Sequence, residues 1–131
     1  MYKFSQSSVD KLNTCHPDIK LICGVLIQIM DVTIIEGVRT PERQAQLVAK
    51  GLSKTLDSKH LVQPDGLSHA VDVAPFPIDW NDRERFVHMQ GMIKAIAHML
   101  GIKIRSGLDW DMDNDLKEHK FSDSPHFELI R

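Results

Sequence analysis

The segment HAVDVAP, residues 69–75, constrains the fold of this chain more strongly than its other motifs. Its small and β-branched residues predict a short strand that ends at Pro75. Because successive side chains of a strand point to opposite faces, Asp72 shares a face with Ala70, while His69 and the two valines point the other way. A buried carboxylate is costly without a partner, so Asp72 requires a cation, hydrogen-bond donors or a metal on its face of the sheet.

The remaining segments alternate between helical and extended patterns. We predict four helices: a short one capped by Ser7 or Ser8, one that begins at Pro17, one from Thr40 to Gly51, and one over about 82–100, capped by Asn81 or Asp82. We predict further strands in DVTIIEG, IKIRSG and HFELI. The buried stripes of the second and fourth helices would be Ile19, Ile22, Leu26 and Ile29, and Phe86, Met89, Ile93, Ile96 and Leu100. This order predicts one α+β domain over 1–131, with a small, mostly antiparallel sheet flanked by helices.

Charge and hydropathy exclude several functional classes. The net charge of −2 and the scattered basic residues give no attraction to nucleic acid. The longest apolar stretch, 21–30, is interrupted by Gln28 and is shorter than a membrane span. The amino terminus lacks the apolar core of a secretory signal. We therefore expect synthesis in the cytoplasm and no membrane insertion. Reduced, partly buried thiols are the preferred interpretation of Cys15 and Cys23, over a disulfide or a zinc-binding pair.

Histidines and carboxylates gather around the predicted strand and near the end of the chain. Hydrolytic zinc sites use three His, Asp or Glu ligands and leave a fourth position for water, and a further carboxylate must move a proton. The candidate ligands are His60, His69, Asp72 and His126. If Asp72 binds a metal, His69 should point away from it, whereas His60 lies in a loop that can reach it. The residues alone leave both zinc and a hydrogen-bonded carboxylate open.

The last predicted strand offers acidic partners for its histidine. His126 and Glu128 share one face, while Phe127 and Leu129 would face the core. Asp123 lies in the turn before the strand, where its carboxylate could lean over the open position of a metal. Structural or solvent-exposed roles are the preferred interpretation for the other histidines: His16, His88, His98 and His119.

Three motifs taken together resemble a known peptidase family. EGVRTPERQ, SKH followed by HAVDV, and DSPHFEL have the order found in D-Ala-D-Ala carboxypeptidases and L-alanyl-D-glutamate endopeptidases, a family that includes vancomycin-resistance dipeptidases and phage endolysins. The resemblance extends over about 6–131. It implies the Hedgehog/D-Ala-D-Ala peptidase-like fold, with a zinc site in a cleft on the sheet.

The resemblance also implies roles for individual residues. The zinc ligands would be His60, Asp72 and His126. Asp123 would be the general base, and Arg39 would hold the substrate or stabilise the developing oxyanion, for which a permanently charged guanidinium is well suited. The expected substrate-binding or cleft-lining residues are Arg39, Gln44, Trp110 and His69.

The sequence departs from the family pattern S-x-H-x-x-G-x-A-x-D between the first histidine and the aspartate. The resemblance implies an insertion of five residues, VQPDG, in the loop 61–66. Because added loop length costs little closure entropy, the ligand geometry can survive the insertion. The alternative is that Asp65 or His69 replaces His60 as a ligand.

The segment GLDWDMDND carries alternating aspartates, namely Asp109, Asp111, Asp113 and Asp115. It lacks the glycine and glutamate positions of an EF-hand, so a solvated acidic loop is the preferred interpretation. A weak regulatory Ca²⁺ site at 109–115 is the alternative.

These inferences predict a zinc metallopeptidase that hydrolyses the stem peptides of bacterial peptidoglycan. The chain resembles phage endolysins that cleave between L-alanine and D-glutamate and accumulate in the host cytoplasm before their release to the cell wall. We expect it to act as a monomer. The alternatives are a D,D-carboxypeptidase or dipeptidase of the same family, and a non-catalytic, zinc-stabilised wall-binding or phage structural domain.

Overall fold

Helices and strands follow one another in the predicted order. The computed structural model describes residues 2–53, 55–114 and 123–130. Its helices are α1 (Gln6–Leu12), α2 (Pro17–Ile29), α3 (Pro41–Ala49) and α4 (Arg83–Leu100). Its strands are β1 (Val32–Glu36), β2 (Ala70–Pro75), β3 (Ile104–Ser106) and β4 (His126–Leu129). The prediction of a small α+β fold is confirmed.

The ends of α3 and α4 are set by the residues that the sequence indicates. Thr40 and Asp82 each accept a backbone N–H from the first turn of their helix. Gly101 ends α4 with a φ of +72°, a conformation that glycine adopts without strain. None of the described helices is long and apolar enough to cross a bilayer.

The first helix begins earlier than expected. Ser5 caps α1 by accepting the N–H of Ser8 at 3.1 Å, so the predicted cap at Ser7 or Ser8 is wrong. Ser8 is instead buried against β1, where its hydroxyl oxygen accepts the N–H of Ile34 at 3.0 Å. Its tertiary contact, rather than its local cap preference, decides its position.

Within the described residues, the strands form one antiparallel sheet in the order β1-β2-β4-β3. In this register Asp72 lies opposite His126 on β4 and opposite Glu36 on β1. The pairing of β3 with β4 places Arg105 opposite Glu128. The sheet therefore brings polar side chains from different parts of the sequence to one region.

The other side of the sheet forms the core with α2 and α4. The strand residues in this core are at most 3% exposed, namely Val32, Ile34, Val71, Val73, Ala74, Phe127 and Leu129. The alternation predicted for β4 is confirmed, since Phe127 and Leu129 both lie in the core. Burying this apolar surface is the main stabilising contribution to the fold.

The predicted helical stripes are buried except for their last members. Ile29 is 54% exposed and Leu100 is 43% exposed, so their assignment to the core was wrong. Each is the final residue of its helix, where the chain turns toward the next strand. Cys23 and Ile27 complete the buried face of α2, and Ala97 that of α4.

The cysteines contribute to packing rather than to chemistry. Cys15 and Cys23 are free thiols, as predicted, and they are fully buried rather than partly buried. Burial raises the pKa of Cys15 to about 11, so its thiol stays protonated and a poor nucleophile at neutral pH.

Candidate metal centre

The polar side of the sheet brings two histidines and an aspartate to one point. His60 Nε2 lies 3.1 Å from Asp72 Oδ1, and His126 Nδ1 lies 3.2 Å from each of these two atoms. The three atoms form a nearly equilateral triangle. The residues are exposed by 9% or less, so solvent competes little for their ligand atoms.

The triangle has the size expected for three ligands of one zinc ion. Zinc bonds of about 2.0–2.1 Å at tetrahedral angles place neighbouring donor atoms about 3.3 Å apart. The observed sides of 3.1–3.2 Å are close to this spacing. All three residues also line a cleft of about 600 Å³, toward which a fourth coordination position can open. Two imidazoles and one carboxylate are a donor set that suits zinc.

The ring of His60 is oriented by a backbone carbonyl. Its Nδ1 lies 2.8 Å from the carbonyl oxygen of Gly37. Because a carbonyl only accepts, this nitrogen carries a proton, and Nε2 is the atom that faces Asp72 and that the neutral ring can offer to a metal. Gly37 cannot carry a side chain here, because a Cβ would collide with the carbonyl oxygen of Lys11.

The ring of His126 is oriented by a carboxylate and an arginine. Its Nε2 donates to Glu128 Oε1 at 2.8 Å, and the other oxygen of Glu128 accepts from Arg105 Nη2 at 3.0 Å. Nδ1 is thereby directed toward Asp72. Burial lowers the pKa of His126, but hydrogen bonds with Asp72 and Glu128 outweigh it and raise the pKa to about 9. The sequence predicts Glu128 on this face but not Arg105, whose contact depends on the pairing of β3 with β4.

Asp72 is ionised at the centre of the group. Burial raises the pKa of this carboxyl, but hydrogen bonds from His126 and His60 outweigh it and hold the pKa well below its usual range. Nη2 of Arg39 lies 3.8 Å from its second oxygen. Asp72 therefore has the donors and the cation that its place in an apolar strand requires.

Asp123 lies at the rim of the centre. Its side chain is 35% exposed, and its Oδ2 is 3.9 Å from His126 Nδ1. Burial, and then the charge of Asp72, raise the pKa of Asp123. Its backbone N–H donates to the carbonyl of Gly107 at 2.9 Å, which fixes its place. Gly107 has to be a glycine, because a Cβ would overlap the carbonyl of Asp123.

Arg39 is held in the cleft by polar side chains. It pairs with Glu36, lies near Asp72, and donates from Nη1 to Gln44 Oε1 at 2.8 Å. Gln44 is only 1% exposed, and its amide donates to Ser53 Oγ at 2.8 Å. Gln44 is not among the residues that line the cleft, and its contact in the structure is with Arg39; its expected role in substrate binding stays a prediction.

Trp110 lines the same cleft, where the family resemblance places it. Its ring centroid is 5.3 Å from that of His126. The guanidinium carbon of Arg105 lies 5.6 Å from the centre of the indole, within cation–π range. Trp110 thus supplies a flat wall beside a candidate metal ligand.

Known proteins resemble this chain over nearly its whole length. The profile of the family described as phage L-alanyl-D-glutamate peptidase matches residues 1–130. The chain belongs to this family. It is 33% identical over 141 residues to the L-alanyl-D-glutamate peptidase of Escherichia phage T5, with 98% of each chain covered.

A solved structure extends the phage L-alanyl-D-glutamate peptidase comparison to the fold. The crystal structure of the Serratia marcescens L-Ala D-Glu endopeptidase ChiX superposes with a TM-score of 0.76 at 26% sequence identity. The match covers 98% of this chain and 91% of that one. The α+β architecture is therefore shared with a solved endopeptidase.

In this member of the phage L-alanyl-D-glutamate peptidase family, His69 does not line the cleft. Its Nε2 lies 2.7 Å from Asp65 Oδ2, and its ring centroid lies 5.0 Å from that of His16. Alternation along the chain into β2 directs His69 away from Asp72, as predicted. The expected contact of His69 with substrate stays a prediction, to which this position lends no support.

The loop after His60 closes as a tight turn. The N–H of Gln63 donates to the carbonyl of Leu67 at 3.0 Å, so the inserted residues form a short hairpin. The structure brings His60 to Asp72 and His126 in the candidate metal centre, whereas the alternative ligands Asp65 and His69 pair with each other. His60 Nε2 thus reaches Asp72 and His126 across the twelve-residue separation between His60 and Asp72.

The acidic loop gives no support to a calcium site. Asp109 is 1% exposed and pairs with Lys94 at 2.9 Å, while Asp111 and Asp113 are exposed. A lysine therefore already neutralises the buried member of the cluster. The predicted Asp115 and His119 lie outside the described residues.

Proposed function

We propose that this protein is a zinc-dependent endopeptidase that cleaves between L-alanine and D-glutamate in peptidoglycan stem peptides and serves as a phage endolysin. The family and the phage T5 relative support the reaction class. The donor triangle is the observation that carries the metal chemistry, because its spacing fits three zinc ligands. As a lysis enzyme, the protein would be made in the host cytoplasm and act on the host wall.

The metal would be held by His60, Asp72 and His126 through the three atoms of the triangle. When bound, zinc polarises the scissile carbonyl and lowers the pKa of water toward about 7. Gly37 and Glu128 keep the two imidazoles in orientations that present Nε2 and Nδ1, respectively, to the ion.

Asp123 is the candidate general base. Its carboxylate lines the cleft beside the ligand atom of His126. In this role it accepts a proton from the attacking water and passes it to the leaving nitrogen of D-glutamate. Its backbone hydrogen bond to Gly107 holds the main chain of Asp123 beside the candidate ligands.

Arg39 supplies positive charge at the β1 side of the cleft. Because Glu36 and Gln44 brace its guanidinium, it can donate to the substrate carbonyl oxygen without reorganising as negative charge develops. Further cations line the same cleft, namely Arg43, Lys59 and Arg105. This positively charged lining of the cleft suits stem peptides, which carry free carboxylates.

Digestion of purified peptidoglycan, followed by mass spectrometry of the products, tests the assigned bond. We expect released peptides that begin with D-glutamate and glycan strands that retain L-alanine. Release of terminal D-alanine alone would identify a D,D-carboxypeptidase instead. Binding to the wall without release of any peptide would identify a wall-binding domain.

Metal removal tests the zinc dependence in the same assay. A chelator should abolish cleavage, and added zinc should restore it. Cleavage that continues after metal analysis shows complete removal would contradict the metal part of the proposal while leaving the bond assignment intact.

A further inference from the structure

A second group of two histidines and one aspartate lies outside the cleft. His16 is at the N-cap of α2, Asp65 is in the loop after β1 and α3, and His69 comes immediately before β2. One ligand atom from each lies within 4.8 Å of the others. These residues do not line the cleft, so the proposed peptidase activity makes no use of them.

Backbone hydrogen bonds bring the two histidines together. The N–H of His16 donates to the carbonyl of Ser68 at 2.9 Å, and the N–H of Ser68 donates to the carbonyl of Thr14 at 2.9 Å. His69 follows Ser68 directly, so its ring is carried by the same pairing. The two rings lie edge to face with centroids 5.0 Å apart. The backbone therefore presents two imidazoles to one point.

Asp65 presents one oxygen to both rings. Its Oδ1 accepts the N–H of Leu67 at 3.1 Å, which fixes the carboxylate in the turn. Its Oδ2 lies 2.7 Å from His69 Nε2 and 4.0 Å from His16 Nε2. The longer distance exceeds a hydrogen bond. The two distances bracket the spacing of about 3.3 Å between ligands of a tetrahedral zinc ion.

We propose that His16, Asp65 and His69 form a second divalent-metal site, which takes Zn²⁺ or a similar first-row ion. Imidazole and carboxylate ligands suit Zn²⁺, Ni²⁺ and Cu²⁺. The side chains are 15%, 38% and 10% exposed, so an ion can enter from solvent. Bound there, the ion ties the loop 61–66 to the start of α2.

Binding requires one rearrangement at His16. Its Nδ1 accepts the N–H of Asp18 at 3.0 Å, so the proton of the neutral ring is on Nε2. An ion on Nε2 places the proton on Nδ1, so the hydrogen bond from the Asp18 N–H is lost. The carboxylate of Asp18, 3.8 Å from Nδ1, then moves closer and accepts a hydrogen bond from it. His69 makes the same exchange of its proton from Nε2 to Nδ1. The result at His16 matches the carboxylate–imidazole pairing of Glu128 with His126.

Calorimetric zinc titration of His60→Ala tests the second site, because this variant lacks one ligand of the cleft and keeps all three of the second group. We expect binding in the micromolar range. His60→Ala/His69→Ala should bind at least about tenfold more weakly. His60→Ala/His88→Ala, which removes an exposed histidine outside the group, should match His60→Ala. Equal affinities in all three variants, or no binding to His60→Ala below about 1 mM zinc, would overturn the proposal.

A second variant and a stability measurement separate metal binding from misfolding. Asp65→Asn in the His60→Ala background keeps the shape of the side chain and should also weaken zinc binding. Zinc should raise the Tm of His60→Ala but not that of His60→Ala/His69→Ala. Weakened binding that occurs only in variants with an altered circular dichroism spectrum would count against the site.

Discussion

The two His–Asp–His groups of this chain use the same side chains in different surroundings. In the cleft the donor atoms are 3.1–3.2 Å apart, and the three residues are at most 9% exposed. In the second group the distances to the carboxylate are 2.7 and 4.0 Å, and the side chain of Asp65 is 38% exposed. The two groups therefore have the same residue types but differ in the spacing of their ligand atoms and in their burial.

The sheet preorganises the first group, whereas turns hold the second. Asp72 and His126 are cross-strand partners, and both imidazoles of the cleft have a fixed partner on the nitrogen that faces away from the triangle. Asp65 comes from a surface turn that can adjust. Removing one member of a buried charged group costs about 3–5 kcal/mol, against about 0–1 kcal/mol for an exposed pair. The cleft therefore suits chemistry, and the second group suits reversible attachment of a loop.

The largest expected difference is between His60→Ala and His69→Ala. His60→Ala should abolish peptidoglycan cleavage and remove the zinc of the cleft, because a buried ligand is lost. His69→Ala should retain the cleft zinc. Turbidity loss of a cell-wall suspension and metal analysis of both proteins check this. If His60→Ala lysed cell walls at the wild-type rate, the expected difference between His60 and His69 would be wrong.

The next largest effect concerns Asp123, the carboxylate at the rim of the cleft. Asp123→Asn should lower kcat at least about 100-fold with zinc retained, since the amide cannot accept the proton. Asp65→Asn is the matched control and should keep the wild-type rate. Steady-state hydrolysis of a defined muropeptide measures both. A similar loss in the two variants would show that Asp123 has no special role.

A smaller effect is expected from a change at Glu128, the carboxylate that orients the ring of His126. Glu128→Gln keeps the size of the side chain but removes its charge, and should weaken zinc binding in the cleft by about 10- to 100-fold. Competition with a chromophoric chelator measures the affinity. Glu84→Gln, an exposed substitution on α4, is the control. Unchanged affinity would mean that the orientation of His126 does not depend on Glu128.

The smallest effect is on folding. His69→Ala, compared with wild type in the presence of a chelator, should lower the free energy of unfolding by about 1 kcal/mol, because one hydrogen bond to a half-exposed carboxylate is lost. Urea denaturation followed by circular dichroism measures it. A loss of about 3 kcal/mol or more would mean that the second group is as structurally demanding as a buried pair.

Local signals were sufficient for much of the fold. Thr40, Asp82 and Gly101 act within one turn of their own helix, so the sequence predicts their roles directly. The cap of α1 was mispredicted because Ser8 contacts β1, which no local pattern reveals. Ile29 belongs to a regular apolar stripe yet is exposed, because the helix ends there.

The candidate site, too, was predicted only in part from the sequence. A motif resemblance was enough to bring His60, Asp72 and His126 forward as a group. The hydrogen bond from Arg105 to Glu128 depends on strand register, which the sequence does not specify. The pairing of Asp65 with His69 and its approach to His16 arise from a backbone contact that was not foreseen.

The close approach of Gly107 to Asp123 couples the proposed base to a proposed metal ligand. A methyl group at position 107 must push the Asp123 carbonyl aside, and this carbonyl accepts the N–H of His126 at 3.1 Å. One added carbon would thus disturb proton transfer and metal retention together, so a library of engineered lytic variants should leave position 107 unchanged.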